Sequence, residues 1–178
     1  MKTTLISFLL LCTIFSTTVS AQNSRYAELH GRTFNIGFGL GGYSNYYGHI
    51  GQTLPVMNFN YEFDVVRNFT LAPFLTLISY SDNNYRTLVL PVGVKGTLYL
   101  DNLLRAGSNW DFYAAGSLGF SIVRTTWDAN YYGDRTYYKG LNPLYLDFHL
   151  GTEYHFSNHF GVFLDLSTGF STIGLAIR

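Results

Sequence analysis

A period-two alternation of apolar and polar residues is the feature that most constrains how this chain can fold. Between Leu144 and Phe156, leucine, phenylalanine or tyrosine occupies most alternate positions, with mostly polar or small residues between them. Successive side chains of a β-strand point to opposite faces of its sheet, so this spacing predicts a strand. The pattern recurs about eight times, and no segment after Ala21 shows a sustained helical period of 3.6 with caps. The sequence therefore predicts an all-β fold.

Hairpin geometry supports the pairing of two consecutive predicted strands near the end of the chain. The connection Ser157–His159 has three residues, which pairs Tyr154 with Val162 and places the apolar residues of both strands on one face. The predicted strands are Thr33–Gly42, Pro55–Val65, Phe69–Tyr80, Thr87–Leu100, Asp111–Val123, Leu144–Phe156, Phe160–Ser167 and Ser171–Arg178.

Two features of the third and fourth strands depart from simple alternation. Residues 69–80 are apolar on both faces, and a three-residue turn at Val66–Asn68 would point Phe74 and Ile78 away from the apolar face of the second strand. Pro73 and Pro91 also lie within predicted strands, although proline cannot donate to a strand ladder. We therefore expect β-bulges at both prolines.

The polar face of the predicted strands is poor in charge. Charged residues make up 12% of the chain, against roughly 25% in ordinary globular proteins. A soluble barrel would need lysine and glutamate on this face, whereas it carries mostly glycine, serine, asparagine and tyrosine. Small residues suit the crowded interior of an eight-stranded barrel. Apolar strands of about ten residues are long enough to cross a bilayer when they are tilted. We therefore predict a closed, antiparallel, up-and-down transmembrane barrel of about eight strands.

The start of the chain has the pattern of an export signal. Lys2 precedes the apolar run Leu5–Phe15, and small residues follow at Val19–Ala21, which predicts cleavage after Ala21. Cleavage removes Cys12, the single cysteine, so the remaining chain can use neither a disulfide nor a thiolate metal site. We predict a signal peptide over residues 1–21 and a barrel over residues 22–178.

Charged and histidine side chains on the polar face are expected to line the barrel interior. Because a buried charge is costly without a partner, we predict a hydrogen-bonded network that fills the lumen. The alternatives are a water-filled path, for which eight strands leave little room, and a catalytic or metal site. A cross-strand pair of His149 and Ser167 is the one weak candidate for hydrolytic chemistry, and no cofactor is predicted. The predicted interior network is Glu62, Asp64, Lys95, Asp147, His149, Glu153, His155 and Asp165.

The connections between the predicted strands alternate in length and differ in composition. Long ones, such as residues 44–53 and 128–142, would lie outside the cell, and short ones on the opposite side of the membrane. Their tyrosines predict either interfacial anchoring and loop packing or a recognition surface for a ligand, host surface or partner. The predicted outer-loop recognition candidates are Tyr46, Tyr47, Tyr85, Trp127, Tyr131, Tyr132, Tyr137 and Tyr138.

Three stretches carry a resemblance to a known family: LVLPVGVKGTLYL (Leu88–Leu100), WDFYAAGSLGFSI (Trp110–Ile122) and the final STIGLAIR. With the strand pattern over residues 22–178, the chain resembles the small outer-membrane β-barrel, or porin-like, proteins of the Bacteroidota. The resemblance implies a Gram-negative outer-membrane location, with the lipid bilayer and the barrel assembly machinery as partners. Such barrels usually end on an aromatic residue, whereas this chain ends Ile177–Arg178.

Two functional hypotheses follow from these patterns. The first is a structural or surface-interaction scaffold with a plugged polar interior, and the alternative is a narrow porin-like channel for small or apolar solutes. An outer-membrane enzyme is a distant third hypothesis. The formal net charge of +0 predicts no nucleic-acid partner, and an extracellular ligand or partner is not identified by the sequence.

Overall fold

The computed structural model describes residues 32–41, 54–82, 84–104, 107, 109–129, 131–133 and 143–178. The predicted signal peptide, residues 1–21, lies outside these ranges. Among the described residues, no helix is long and apolar enough to cross a membrane. The elements are β1 (Arg32–Gly41), β2 (Leu54–Val66), β3 (Phe69–Asp82), β4 (Tyr85–Tyr99), the short helix α1 (Asp101–Leu104), β5 (Trp110–Trp127), β6 (Leu144–His155), β7 (Phe160–Ser167) and β8 (Phe170–Ile177).

The strands form one closed antiparallel barrel in sequence order. Closure occurs at β1, where Phe34 lies opposite Tyr61 of β2 on one side and opposite Ile177 of β8 on the other. Each of the eight strands therefore has two neighbours, which satisfies the backbone hydrogen bonds that an open sheet would leave exposed along its edges. This confirms the predicted closed, eight-stranded antiparallel barrel.

The two ends of the barrel differ, and we name them by what they carry. The terminal end carries the start of β1, the end of β8, helix α1 and the short connections at residues 67–68 and 156–159. At the loop end, β1, β3, β5 and β7 end and β2, β4, β6 and β8 begin. The strands β3, β4 and β5 are the longest, with 14, 15 and 18 residues. The end of β3, the start of β4 and the end of β5 lie at the loop end.

The exterior of the barrel is apolar and its interior holds most of the buried polar side chains. Phe120 and Leu150 are 64% and 66% exposed, although both lie within regular strands. In contrast, the charged Asp147 is fully buried. This distribution is the reverse of that in a water-soluble domain, where large apolar side chains are buried and charged ones are solvated.

The observed strand bounds lie within two residues of the predicted ones, except at one end of β5. There the strand continues past Val123 to Trp127, which pairs with Tyr85 at the start of β4. Residues 124–127 (Arg-Thr-Thr-Trp) contain no glycine or proline, and threonine and tryptophan favour extended backbone. The connection between β3 and β4, predicted to be of medium length, is only two residues long because β3 extends to Asp82 and β4 begins at Tyr85.

The predicted bulges at Pro73 and Pro91 are wrong. The register between β3 and β4 and between β4 and β5 continues without a shift, with Pro73 opposite Val94 and Pro91 opposite Ser121. Pairing between β2 and β3 instead passes from Asn60–Phe74 to Phe63–Leu71, skipping the positions around Pro73. A proline lacks only the backbone N–H that would donate to one neighbouring strand. A local interruption of the pairing with that strand therefore accommodates the proline, and no inserted residue is needed.

The connection between β2 and β3 is tighter than predicted. Val66 pairs with Phe69, and the register shifts by one between Asp64 and Val66. Asn68 adopts a positive φ of 57°, the left-handed conformation that closes hairpins of this bulged type. The bulge restores the predicted register, so Phe74 and Ile78 point into the barrel as expected.

Candidate functional site: the lumen and the loop-end rim

An apolar layer fills the loop-end half of the lumen. Phe74 of β3 and Tyr145 of β6 meet across it with ring centroids 5.6 Å apart, although their strands are three places apart in the barrel. Tyr145 also stacks on Phe170 of β8 at 6.0 Å. This half of the lumen therefore combines apolar packing with buried polar side chains such as Thr76 and Thr87. The buried apolar residues of the layer are Leu54, Val56, Phe74, Ile78, Val89, Tyr145 and Phe170.

A charged group crosses the middle of the lumen. Lys95 Nζ of β4 lies 2.5 Å from Asp165 Oδ2 of β7, again three strands away. The Tyr113 hydroxyl donates to the same carboxylate oxygen at 3.1 Å, and its ring lies 4.9 Å below the Lys95 ammonium. A buried ion pair is favourable only when its remaining hydrogen-bonding groups have partners. Tyr113 provides one such partner for Asp165.

The same aspartate continues into a second chain of hydrogen bonds. Asp165 Oδ1 lies 2.7 Å from His149 Nδ1, and His149 Nε2 lies 2.8 Å from Ser117 Oγ. These distances are those of a Ser-His-Asp triad. The predicted pairing of His149 with Ser167 is correct as strand register, but the Ser167 hydroxyl donates to Asp147 instead. The sequence prediction therefore named the wrong serine, since Ser117 and not Ser167 contacts His149.

The surroundings of this trio differ from those of a hydrolase site. Ser117, His149 and Asp165 are 3%, 5% and 4% exposed, so the serine does not face a space where an acyl substrate could bind. His149 Nε2 also lies 3.8 Å from Asp147 Oδ2, which places the imidazole between two carboxylates. Lys95 occupies the other oxygen of Asp165. The trio thus forms part of the side-chain packing across the lumen.

Asp147 organises the β7–β8 connection from inside the barrel. Its Oδ1 accepts hydrogen bonds from the Thr168 hydroxyl at 2.6 Å and from the Gly169 amide at 2.8 Å. Its Oδ2 accepts from the hydroxyls of Tyr145 and Ser167, both at 2.8 Å. Four donors of this kind stabilise a carboxylate that has no solvent access.

Glu62 occupies the terminal-end half of the lumen. Its carboxylate accepts from the Tyr99 hydroxyl at 2.8 Å, from the Thr70 hydroxyl and from Asn35 Nδ2 at 3.3 Å. Asn35 Nδ2 also donates to Asn60 Oδ1 at 2.9 Å. The bonds join β1, β2, β3 and β4 through neutral donors.

A second group of charges lies at the terminal mouth of the barrel. His155 Nε2 is 2.6 Å from Asp111 Oδ2, and Arg178 Nη2 is 3.1 Å from the same oxygen. Glu153 Oε1 lies 3.4 Å from His155 Nδ1 and 4.0 Å from Arg178 Nη2. The last residue of the chain thus turns its side chain into the mouth of the barrel.

Seven of the eight predicted network residues lie in these groups. The eighth, Asp64, is half-buried beside the β2 bulge at the terminal end. Sequence reasoning missed several participants because tyrosine was assigned to the membrane interface, and serine and asparagine were treated as filling. For Asn60, Tyr113 and Tyr145 the available signal was a charged neighbour two residues away on the same strand face. The missed residues are Asn35, Asn60, Thr70, Tyr99, Asp111, Tyr113, Ser117, Tyr145 and Arg178.

Aromatic rings line the rim at the loop end. Tyr85 and Trp127 were predicted in loops but belong to strands β4 and β5, where their ring centroids lie 5.1 Å apart. Trp127 stacks on Tyr131, also at 5.1 Å, and Tyr132 is 94% exposed. The other predicted candidates, Tyr46, Tyr47, Tyr137 and Tyr138, lie outside the described residues.

A shallow cleft lies beside these rings. It has a volume of about 240 Å³ and combines aromatic faces with charged and amide groups. Among the described residues, no group of three His, Cys, Asp or Glu side chains is placed to hold a metal ion. The cleft is lined by Ser81, Asn84, Tyr85, Arg86, Thr126, Trp127 and Asp128.

Known proteins resemble this chain in fold and not in sequence. No protein-family model and no curated protein sequence matches it. A de novo designed transmembrane β-barrel matches with a TM-score of 0.50 over 85% of this chain and 98% of its own, at 9% identity. The likeness shows the fold alone, that of a small transmembrane β-barrel.

Two structures of one natural protein also align with the chain. Ail, the attachment invasion locus protein of Yersinia pestis, in complex with the heparin analogue sucrose octasulfate, aligns with a TM-score of 0.49 and 10% identity. This alignment covers 82% of our chain and 96% of Ail. Ail in a phospholipid bilayer nanodisc aligns with a TM-score of 0.48 and 11% identity, over 83% of our chain and 97% of Ail.

Proposed function

We propose that this chain is an integral barrel of a Gram-negative outer membrane, and that it acts as a non-enzymatic scaffold with a plugged lumen and a surface-presenting loop end. The contacts that cross the lumen carry this proposal. Lys95–Asp165 and Phe74–Tyr145 lie in different layers, and each joins strands three places apart. An ion pair and an aromatic layer in series obstruct both water and solutes.

The membrane location rests on the apolar exterior. Side chains such as Phe38, Phe148 and Ile173 are 55%, 61% and 63% exposed on the outside of regular strands. Contiguous apolar surface of this kind is stable in lipid and not in water. Outer-membrane barrels place their longer connections outside the cell, which assigns the terminal end to the periplasm. The Bacteroidota resemblance adds the barrel assembly machinery as a partner in insertion.

Conductance measurements test the plugged lumen. Purified protein is folded into planar bilayers beside a porin of known conductance as a positive control. We expect no unitary current steps from the wild-type chain, because the Lys95–Asp165 and Phe74–Tyr145 contacts cross the lumen in two different layers. Reproducible current steps whose number increases with the amount of folded protein would contradict the scaffold proposal and support the channel alternative.

One observation favours the alternative of a narrow pore. Several buried polar atoms in the terminal half of the lumen have no hydrogen-bond partner among the described residues, including Asn35 Oδ1, Thr97 Oγ1 and Glu153 Oε1. Water is the usual partner of such atoms, so this half of the lumen suits hydration. A pore would still require the apolar layer around Phe74 to open. The double variant Phe74→Ala/Tyr145→Ala therefore provides a direct comparison in the same bilayers.

The loop-end rim is the surface that we assign to recognition. Tyr85, Trp127 and Tyr131 form a continuous row of rings beside the cleft. Tyrosine and tryptophan supply large contact areas at a low cost in side-chain entropy. Substitution of exposed Tyr132 and stacked Tyr131 by serine is expected to weaken any adhesion of folded protein to a cell surface without lowering its stability.

A further inference from the structure

Two arginines stand on the outside of the barrel directly above its apolar belt at the loop end. Arg86 of β4 alternates with the buried Thr87, so it lies on the same outer face as Leu88 and Leu90. Arg124 of β5 lies on the outer face with Ile122. Both arginines are exposed.

The strand register makes the two arginines diagonal neighbours. Arg86 lies opposite Thr126 and Leu88 lies opposite Arg124, so the arginines are offset by two positions on adjacent strands. Side chains in this relation have Cα atoms about 7–8 Å apart, which long side chains span easily. Two guanidinium groups can therefore converge on one anion.

Neither arginine is neutralised by a described side chain. Arg86 donates from Nε to Ser79 Oγ at 3.4 Å, and no described carboxylate forms an ion pair with Arg86 or Arg124. Asp128 lines the same cleft as Arg86. Like charges at this diagonal separation repel each other, and an anion bound between them would remove the repulsion.

We propose that Arg86 and Arg124 bind the phosphate group of a glycolipid headgroup in the outer leaflet. The inference rests on the proposed outer-membrane location and goes beyond it. Guanidinium groups bind phosphate oxygens in bidentate geometry, and the level just above the apolar belt is where lipid headgroups lie. The cleft beside Arg86 adds hydroxyl, amide and aromatic groups that suit the attached sugar.

Lipid retention tests this proposal. Folded protein is placed in phosphatidylcholine nanodiscs that contain purified lipid A, a phosphorylated and acylated glucosamine disaccharide, and retained lipid A is counted by native mass spectrometry after extraction into detergent. We expect the double variant R86Q/R124Q to retain about tenfold less lipid A than the wild type, since each charge-assisted contact is worth a substantial factor in affinity. The matched control R32Q/R67Q removes two exposed arginines from the terminal end and is expected to retain lipid A like the wild type.

Two further arms identify the ligand. Lipid A stripped of its phosphates is expected to be lost from wild-type protein, and millimolar inorganic phosphate is expected not to displace intact lipid A. Equal retention by R86Q/R124Q and the control, or equal retention of dephosphorylated lipid A, overturns the proposal. Displacement by inorganic phosphate overturns the assignment to a lipid and leaves a free-anion site. Failure of the wild-type chain to enter nanodiscs would refute the membrane location itself, so the two failures are distinguishable.

Discussion

Lys95 of β4 and Asp165 of β7 meet across the lumen, with Nζ and Oδ2 2.5 Å apart. The contact ties together strands that share no backbone hydrogen bonds, since three places separate them in the barrel. It also connects Tyr113, His149 and Ser117 into one group. The stability of the filled lumen should therefore depend on this pair.

Removal of one partner of this pair leaves a buried charge. We expect Lys95→Met to lower the free energy of unfolding by about 3–5 kcal/mol, because the buried Asp165 carboxyl group loses its cation. The double variant Lys95→Met/Asp165→Asn is expected to recover part of the loss, because asparagine removes the charge and keeps an acceptor for Tyr113 or His149. Urea titration in lipid vesicles, followed by the shift between folded and unfolded bands on unheated gels, measures both. A single variant as stable as the wild type would contradict a structural role for the pair.

Gly151 is required beneath the ring of Tyr113. A Cβ atom at this position would lie 2.1 Å from Tyr113 Cζ, which the packed ring cannot accommodate without moving. We expect Gly151→Ala to cost about 1–3 kcal/mol in the same titration. Gly116→Ala is the control, since its Cβ would meet only Asp147 O at 4.0 Å. The cost at Gly151 should disappear in a Tyr113→Ala background, and its persistence there would exclude this clash as the cause.

Ser117 has the hydrogen bonds of a triad serine but not its accessibility. We expect the folded protein to gain no mass when incubated with a fluorophosphonate, because the hydroxyl is buried within the lumen. Ser117→Ala is expected to cost about 1 kcal/mol of stability through loss of the contact with His149. A single phosphonyl adduct that disappears in both Ser117→Ala and His149→Ala would instead establish an activated nucleophile and the enzyme hypothesis.

Asp147 should control the β7–β8 connection specifically. Asp147→Ala removes the acceptor of the Gly169 amide and of the Thr168 hydroxyl, and we expect a loss of about 2–4 kcal/mol from several unsatisfied buried donors. Amide exchange at Gly169 and Phe170 is expected to accelerate, whereas exchange in the β2–β3 turn at Asn68 serves as the internal reference. Uniform acceleration at both turns would indicate global destabilisation without a local role.

The two tryptophans report the orientation of the barrel wall. Trp110 lies on the outer face at the terminal end and is 44% exposed, whereas Trp127 lies on the inner face of β5 and stacks on Tyr131. In vesicles with spin-labelled lipids we expect strong quenching of Trp110 in the Trp127→Phe variant. Quenching of Trp127 in the Trp110→Phe variant should be weak. The reverse order would contradict the assignment of the two faces.

Individual residues illustrate which parts of the fold could be predicted from the sequence. Phe74 and Ile78 were predicted to point away from the apolar face because the three-residue turn predicted at Val66–Asn68 fixes the register of the following strand. The C-terminal end of β5 was misplaced because residues 124–127 combine strand-favouring side chains with a tryptophan that also suits an interface. The bulges predicted at Pro73 and Pro91 failed because the chain absorbs each missing donor by a gap towards one neighbour.

The candidate site could likewise be predicted only in part from the sequence. The sequence by itself determined that Lys95, His149 and Asp165 share the polar face, because side-chain direction along a strand depends only on odd and even positions. Only the tertiary structure decided that Lys95 meets Asp165 and that His149 reaches Ser117. Those contacts depend on the stagger with which the barrel closes and on the β5–β6 register across a long connection, and neither is encoded in a period of two.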